Sequence, residues 1–239
     1  MSKTVLITGG SRGIGRETAI AFSSAGYNVA ITYKNSEREA FALASEINCL
    51  TLKTDVSVFA QVQDTVSKVL RHYGGIDVLI NNAGIAQQKL FCDISQQDWN
   101  DMFGVNVGGI FNTCKCVLGD MINKKHGKII NISSIWGITG ASCEVHYSAA
   151  KAAVIGFTKA LAKEVGPSGI NVNCIAPGVI DTDMNKKLCC DDIKCLVNDT
   201  PLGVLGLASD VASTILFLAS DGAKFITGQV ISPNGGMVI

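Results

Sequence analysis

The amino-acid sequence predicts an α/β protein: one doubly wound parallel sheet of about seven strands with helices on both faces. Short runs of apolar and β-branched residues alternate with longer amphipathic stretches along the whole chain. The short runs are largely apolar, which is typical of strands buried on both faces of a parallel sheet. No linker rich in proline or serine and no repeat of roughly 20–50 residues interrupts the series. We therefore expect residues 1–239 to form a single domain.

The predicted strands are short runs rich in valine, isoleucine, leucine and threonine, the residue types that favour strands. In chain order they are Thr4–Thr8, Asn28–Tyr33, Leu50–Thr54, Asp77–Ile80, Lys128–Ile132, Ile170–Ile175 and Gln229–Ile231.

The stretches between the strands carry helical periodicity. Val62, Val66 and Val69 recur on one face of the third stretch. Gly166 and Pro167 end the fifth stretch, as such residues commonly end helices. In chain order the predicted helices are Ile14–Ala25, Ser36–Ile47, Val58–Tyr73, Ser95–Asn123, Tyr147–Val165 and Ser209–Ala219.

Composition excludes several classes of protein. The 239 residues are 47% apolar and 17% charged, which is too apolar for a disordered chain. The 20 Lys and Arg balance the 20 Asp and Glu, so no net positive charge attracts nucleic acid or an anionic membrane. No apolar run approaches the roughly 20 residues that a membrane helix needs, and Met1–Gly10 does not resemble a signal peptide. We expect a soluble, cytoplasmic protein.

The nine cysteines are odd in number and include no CxxC pair, which argues against a disulfide framework or a zinc ribbon. A metal site built from Cys189, Cys190 and Cys195 with Asp191 and Asp192 is an alternative. The simpler interpretation is free thiols in a reducing compartment, so we expect no metal.

A glycine-rich turn, Thr8-Gly9-Gly10-Ser11-Arg12-Gly13-Ile14-Gly15, joins the first strand to the first helix. Glycines permit a tight turn and let the backbone approach a pyrophosphate, which the free N–H groups of the helix stabilise. An ordinary strand-to-helix turn is the alternative, but the position at the start of the chain favours a dinucleotide site. The candidate residues are Gly9, Ser11, Arg12, Gly13, Ile14 and Gly15.

These glycines and later motifs together resemble the short-chain dehydrogenase/reductase family. The motifs follow the family's order over essentially the whole chain: Gly9-x-x-x-Gly13-x-Gly15, Asn81-Asn82-Ala83-Gly84, Asn106, Ser134, Tyr147-x-x-x-Lys151 and Pro177-Gly178. The resemblance implies a Rossmann-type fold, a nicotinamide dinucleotide cofactor and oxidoreductase activity. It also places Asn82, Ala83 and Gly84, and beyond them Pro177, Gly178, Ile180 and Thr182, against the cofactor.

Four residues are the catalytic candidates. Tyr147 and Lys151 are four residues apart and share one helix face, where an ammonium and a bound nicotinamide favour the phenolate. Ser134 follows an apolar strand, at the edge where open α/β sheets bind ligands. Asn106 lies in a stretch of poor helix formers, so a local break there would free a carbonyl. The resemblance makes Ser134 a hydrogen-bond donor to the substrate, Tyr147 the proton donor, and Asn106 part of a water relay through Lys151. Ser133 is expected to be structural.

The end of the second strand bears on cofactor choice. An acidic residue there would bind the adenosine ribose and repel a 2′-phosphate, but Tyr33-Lys34-Asn35-Ser36 contains no carboxylate. Lys34 and Arg12 offer positive charge, so NADP(H) is expected in preference to NAD(H), with solvated surface charges as the alternative. Asp55 and Val56 resemble the family's adenine-contacting pair.

Within the family, the length and Pro177–Met184 resemble 3-oxoacyl-[acyl-carrier-protein] reductases of fatty-acid synthesis. Such enzymes dock an acidic carrier through basic residues beside the active-site entrance, which Lys124 and Lys125 fit. Residues of roughly 182–205 would form a substrate lid.

Other features resemble a reductase branch that acts on an aminopentanone-modified lysine of elongation factor P. These are the segments 134–137 and 140–147 and the tail 228–236, and Glu144 there could attract an amine. A third hypothesis is a non-catalytic nucleotide-binding protein, because one fold can serve different functions.

Two helices are more apolar than one sheet-facing stripe requires, namely Ser95–Asn123 and Tyr147–Val165. With the apolar segment Gln229–Ile239, they predict a homotetramer of closed dihedral symmetry.

Overall fold

A computed structural model describes residues 2–182 and 190–239. Seven parallel strands form one sheet in the order β3-β2-β1-β4-β5-β6-β9, so the predicted α/β doubly wound sheet is confirmed. The order reverses between β1 and β4, and ligands bind at such a switch point, outside the carboxyl ends of the strands. The strands are β1 Thr4–Thr8, β2 Asn28–Tyr33, β3 Leu50–Lys53, β4 Val78–Asn81, β5 Gly127–Ile132, β6 Ile170–Ile175 and β9 Val230–Ile231.

Helices cover both faces of the sheet. They are α1 Gly13–Ser24, α2 Glu37–Ile47, α3 Phe59–Tyr73, α4 Gln96–Phe103, α5 Gly109–Lys124, α6 Trp136–Thr139, α7 Val145–Val165, α8 Cys190–Asn198 and α9 Ala208–Ala219. The sequence did not predict α6, α8 or the small parallel pair of β7 (Ile180–Asp181) with β8 (Gly206–Leu207). None of the described helices is long and apolar enough to cross a membrane.

The core has two apolar layers, one on each face of the sheet. Along β1, Val5 and Ile7 pack into the layer beneath α1 and α9, whereas Leu6 packs into the layer beneath α3, α5 and α7. Each central strand is therefore buried on both faces, and this explains why the runs are largely apolar. The layers hold the carboxyl edge of the sheet rigid, and the candidate residues follow the strands at that edge.

The predicted helix over 95–123 is interrupted. It begins at a capping box, in which Ser95 Oγ accepts from the Asp98 amide and the Asp98 carboxylate accepts from the Ser95 amide. At Gly104–Gly108 the backbone forms a π-helical turn that contains Asn106. Glycine and asparagine are poor helix formers, and π turns within helices are frequent at functional sites. The local break expected around Asn106 is therefore present.

Lys124 and Lys125 do not lie beside the candidate site of their own chain. They end α5, and β5 begins at Gly127, so both lysines sit at the amino edge of the sheet. Ser134 follows the other end of β5. Lys124 also forms an ion pair with Asp120, with 2.7 Å between Nζ and Oδ2. The expectation that these lysines flank the active-site entrance is therefore wrong within one chain, because spacing along the sequence does not show which edge of the sheet a helix end reaches.

Candidate active site

The glycine-rich turn packs so tightly that side chains are excluded. Gly9 adopts a φ of +63°, and a Cβ there would lie 2.9 Å from Ala83 Cα. A Cβ on Gly15 would collide with the carbonyl oxygen of Gly9. Arg12 is the N-cap of α1 but makes no side-chain cap, and the first turn contains no acidic residue. The amide groups at this helix start are therefore suited to a phosphate.

The segment after β4 holds the glycine-rich turn in place. Thr8 Oγ1 accepts hydrogen bonds from the backbone amides of Asn82 and Ala83, both at 3.0 Å. The Asn82 side-chain amide donates to the carbonyl oxygens of Thr8 at 3.1 Å and Gly9 at 2.9 Å. The family resemblance predicts that Asn82 binds the cofactor. In the structure its side chain is hydrogen-bonded to the glycine-rich turn. Thr8, whose hydroxyl joins the two segments, was not singled out in the sequence.

Gly84, Asn106 and Lys151 meet at the next step along this segment. A Cβ on Gly84 would lie 2.6 Å from Asn106 Oδ1 and 3.4 Å from Lys151 Nζ. Asn106 is fully buried, and its side chain is bound to the backbone of Ile85 in both directions: Oδ1 accepts at 3.1 Å and Nδ2 donates at 2.9 Å. The π turn thus places Asn106 next to Gly84 and Lys151. Its side chain is bound to the loop that follows β4.

The structure brings Ser134, Tyr147 and Lys151 together at the carboxyl end of β5. Ser134 Oγ accepts from the Trp136 amide at 3.2 Å, which leaves the hydroxyl proton available to another acceptor. Lys151 Nζ donates to the Ile132 carbonyl at 2.9 Å and lies 5.6 Å from the centre of the Tyr147 ring. Ser133 Oγ donates to the Lys151 carbonyl at 2.8 Å, a structural contact as expected. All four side chains are buried.

Burial dominates the electrostatics of this group. Burial raises the pKa of Tyr147 to about 12. A hydrogen bond with Ser134 acts in the opposite direction, and the Glu144 carboxylate raises the pKa further. Burial also lowers the pKa of Lys151 to about 8. The sequence predicts that the Lys151 ammonium and a bound nicotinamide favour the phenolate, but in the protein without cofactor burial stabilises the neutral phenol. The reason is that Lys151 donates to a backbone carbonyl, while both groups are withdrawn from water.

The adenosine end of the site differs from the sequence expectation in one contact. Lys34 Nζ forms an ion pair with Asp55 Oδ2 at 2.6 Å, so its charge is partly compensated. Burial would raise the pKa of Asp55, but hydrogen bonds from Lys34 and Ser57 outweigh it and lower the pKa. Val56 is buried, and its carbonyl accepts from Asn112 Nδ2 at 2.9 Å. A groove of about 350 Å³ lies between the phosphate turn with α1 and α2; Ser11, Arg12, Gly13, Arg16, Glu39, Ala42, Leu43 and Glu46 line it.

The segment after β6, residues 177–182, lies at the other end of the candidate site from the adenosine-binding residues. The Pro177 carbonyl accepts from the Ile135 amide at 3.0 Å, and the Gly178 amide donates to the Pro233 carbonyl at 3.1 Å. Ile180 is buried, and Thr182 faces the phosphate turn: a Cβ on Gly13 would lie 3.4 Å from Thr182 Cγ2. Residues 183–189 of the expected lid lie outside the described residues.

The alternative metal site is only partly covered, because Cys189 lies among those seven residues. Within 2–182 and 190–239, no group of three or more His, Cys, Asp or Glu is arranged to hold a metal ion.

The fold and this site define a class: a dinucleotide-dependent oxidoreductase with a buried tyrosine, lysine and serine at the carboxyl edge of the sheet. Comparison with known proteins agrees. A family model described as enoyl-(acyl carrier protein) reductase matches residues 9–238. The chain belongs to the short-chain dehydrogenase/reductase family, and its cofactor is a nicotinamide dinucleotide.

Three relatives illustrate the similarity, and each is named 3-oxoacyl-[acyl-carrier-protein] reductase FabG. The protein of Chlamydia trachomatis is 45% identical over 243 residues, with 99% of this chain and 98% of the relative covered. That of Staphylococcus epidermidis is 41% identical over 243 residues, with 99% of both covered. That of Chlamydia muridarum is 44% identical over 244 residues, with 99% and 98% covered.

Proposed function

We propose that this protein reduces a 3-oxoacyl group carried by acyl carrier protein to the 3-hydroxyacyl group, with NADPH as the reductant. The observation that carries the proposal is the meeting of Ser134, Tyr147 and Lys151 in one buried cluster. The names of the relatives supply the substrate class.

The family description and the relatives' names differ in the bond that is reduced: a carbon–carbon double bond for enoyl groups and a carbonyl for 3-oxoacyl groups. The site favours the carbonyl. The hydroxyls of Ser134 and Tyr147 lie close enough for Ser134 to lower the pKa of Tyr147, and two such donors suit a single oxygen atom that gains negative charge. Reduction of a carbon–carbon double bond instead requires a proton on carbon.

Tyr147 holds the transferable proton on Oη. With a pKa raised by burial to about 12, the phenol is protonated throughout the neutral range. It can therefore serve as a general acid toward the substrate oxygen, the role that reduction requires. When bound, the nicotinamide cofactor supplies the hydride to the carbonyl carbon.

Ser134 orients the substrate oxygen. Because the Trp136 amide already donates to Ser134 Oγ, the hydroxyl proton points away from the backbone and is available to the carbonyl. A preorganised donor of this kind lowers the barrier without rearrangement during the reaction.

Lys151 and Asn106 support the Ser134 and Tyr147 pair. The Lys151 ammonium is anchored by the Ile132 carbonyl, and it lies close enough to Tyr147 to stabilise the phenolate left after proton transfer. Asn106 fixes Ile85, so that Gly84 keeps its close approach to Lys151 Nζ. The role of Asn106 in a water relay stays a prediction.

The residues around the turn fit a dinucleotide. Gly9, Gly13 and Gly15 leave space for the pyrophosphate at the uncapped start of α1. The preference for NADPH is supported by the absence of a carboxylate in residues 33–36. The next acidic residue along the chain, Glu37, accepts from the Tyr33 hydroxyl at 3.1 Å. Arg12 is exposed and lines the groove, and Lys34 follows β2, so both cations are candidates for a 2′-phosphate contact; Lys34 also forms an ion pair with Asp55.

A second candidate substrate is the aminopentanone-modified lysine of elongation factor P. The observation that favours it is Glu144, a half-buried carboxylate that raises the pKa of Tyr147 and accepts from Gln88 Nε2 at 3.3 Å. Burial also raises the pKa of Glu144 itself, and a cationic amine nearby would relieve this cost.

One substrate series tests both candidates. NADPH consumption is measured with a 3-oxoacyl thioester, free and carrier-linked, and with an aminopentanone-modified peptide. Preference for the carrier-linked thioester supports the first candidate. Preference for the peptide, lost in Glu144→Gln, supports the second. No consumption with any ketone rejects both and leaves a non-catalytic nucleotide-binding protein.

A further inference from the structure

The loop after β4 is held by two separate sets of hydrogen bonds. Its first half, residues 82–85, is fixed by Thr8 and Asn106, as described above. Its second half, residues 87–89, is fixed from the other side of the site. Lys89 donates from its backbone amide to the Cys143 carbonyl at 2.7 Å. The two halves therefore have independent anchors.

The side-chain anchor of the second half is a chain of three residues. Gln87 Nε2 donates to Asp98 Oδ1 at 2.9 Å, and Gln87 Oε1 lies 2.9 Å from His146 Nε2. Asp98 Oδ2 also accepts from Lys89 Nζ at 2.7 Å and from the Ser95 amide at 2.9 Å. The chain thus joins the start of α4 to the residue directly before Tyr147. None of these three residues was singled out in the sequence.

The carboxylate of Asp98 determines where the protons lie. Hydrogen bonds from Lys89, Ser95 and Gln87 hold the pKa of Asp98 well below its usual range, so Asp98 only accepts. The amide nitrogen of Gln87 must therefore face Asp98, and its oxygen must face the histidine. It follows that His146 carries its proton on Nε2 and donates to Gln87.

The other ring nitrogen of His146 is unusual. The residue is fully buried, and Nδ1 has no hydrogen-bond partner in the described part of the chain. A proton on Nδ1 would bury a charge without an acceptor, so the ring stays neutral. Burial lowers the pKa of His146 accordingly; Asp98 opposes this and Lys89 adds to it. A buried polar ring that satisfies only one nitrogen is costly, which suggests that its single bond to Gln87 serves the site.

We propose that His146 is a positioning residue. Through Gln87 it holds residues 87–89 of the β4 loop against the turn before Tyr147. This contact shapes the part of the site that binds the ketone and leaves the cofactor-binding part unaffected. The inference rests on the proposed function, because it assumes that a ketone binds against the surface that this loop and residues 143–147 form together. The hydrogen bond from Gln88 to Glu144 shows that the two segments face each other there.

Three variants test the proposal. His146→Leu removes the donor to Gln87, and the matched variant His146→Gln restores an amide N–H near the position of Nε2. Gln87→Met breaks the chain from a partly exposed position, so it serves if His146→Leu does not fold. Amide hydrogen exchange of the cofactor-free protein, NADPH affinity, and KM and kcat for the ketone are measured for each.

We expect His146→Leu and Gln87→Met to speed exchange at the Lys89 amide, while the Ile85 amide, bound to Asn106, serves as an internal control and does not change. KM for the ketone should rise roughly three- to tenfold, the worth of about one hydrogen bond, with NADPH affinity unchanged and His146→Gln close to wild type.

Three results would overturn the inference: unchanged exchange at Lys89, equal loss of NADPH affinity, or His146→Gln behaving like His146→Leu. Failure of the proposed function looks different, because the wild-type protein would then reduce no ketone. The exchange comparison needs no substrate, and it decides the positioning role in that case as well.

Discussion

Replacing Tyr147 by phenylalanine tests the role of the hydroxyl proton separately from that of the ring. The ring packs with Met102 and Ala150 in a small apolar cluster, and phenylalanine keeps these contacts. The substitution removes the hydroxyl and its hydrogen bond with Ser134. A typical hydrogen bond contributes about 0.5–1.5 kcal/mol to stability, so Tyr147→Phe should fold and unfold only slightly below the wild-type temperature.

The effect on the rate should be much larger. At pH 7 a phenol with a pKa of about 12 is protonated in nearly every molecule, so the wild-type enzyme always holds the proton that reduction needs. Loss of a positioned general acid costs roughly 10²–10⁴-fold in rate. We therefore expect kcat to fall by this factor while the affinity for NADPH changes little.

The assay is NADPH consumption with a 3-oxoacyl thioester, together with cofactor binding and thermal unfolding of each variant. Tyr73→Phe is the matched control, because it removes a hydroxyl that donates to the Val29 carbonyl at 3.2 Å, on a helix that carries none of the candidate residues. Tyr73→Phe should keep wild-type kcat. Ketone reduction by Tyr147→Phe near the wild-type rate, with normal NADPH binding, would refute the assigned proton donor.

Three further predictions concern the cofactor, the buried ammonium and the assembly. NADPH should be preferred over NADH by roughly 10–100-fold in kcat/KM, and Arg12→Ala and Lys34→Ala should each reduce this preference; equal use of both cofactors by the wild type rejects the assignment. Because burial lowers the pKa of Lys151 from 10.5 to about 8, the unfolded chain binds more protons between these pH values, and wild-type stability rises across that window. Lys151→Met, which buries no charge, should therefore melt higher than wild type at pH 7 and lose this advantage between pH 8 and 10.5; an advantage that grows with pH contradicts the argument. Phe111 and Ile122 are exposed on α5, which supports the predicted homotetramer: light scattering should give about 100 kDa, four times 25.1 kDa, and a stable 25 kDa species would reject it.

The sequence by itself determined the seven strands of the central sheet and most of the helices. Runs such as Val5–Ile7 are apolar throughout because both faces are buried, and this pattern requires no knowledge of neighbouring strands. Residues that share one element were also predictable. Tyr147 and Lys151 lie on one helix face because their spacing requires it, and the poor helix formers around Asn106 marked the π turn.

Contacts between elements were decided only by the tertiary structure. Asn82 holds the phosphate turn, Lys34 pairs with Asp55, and Lys124 lies at the edge of the sheet opposite Ser134. The bond from His146 to Gln87 spans 59 positions of the chain. Such contacts depend on strand order, on where each crossover returns and on the direction in which each loop leaves the sheet. Residue spacing does not encode these quantities, because they follow from packing the whole chain around two apolar layers.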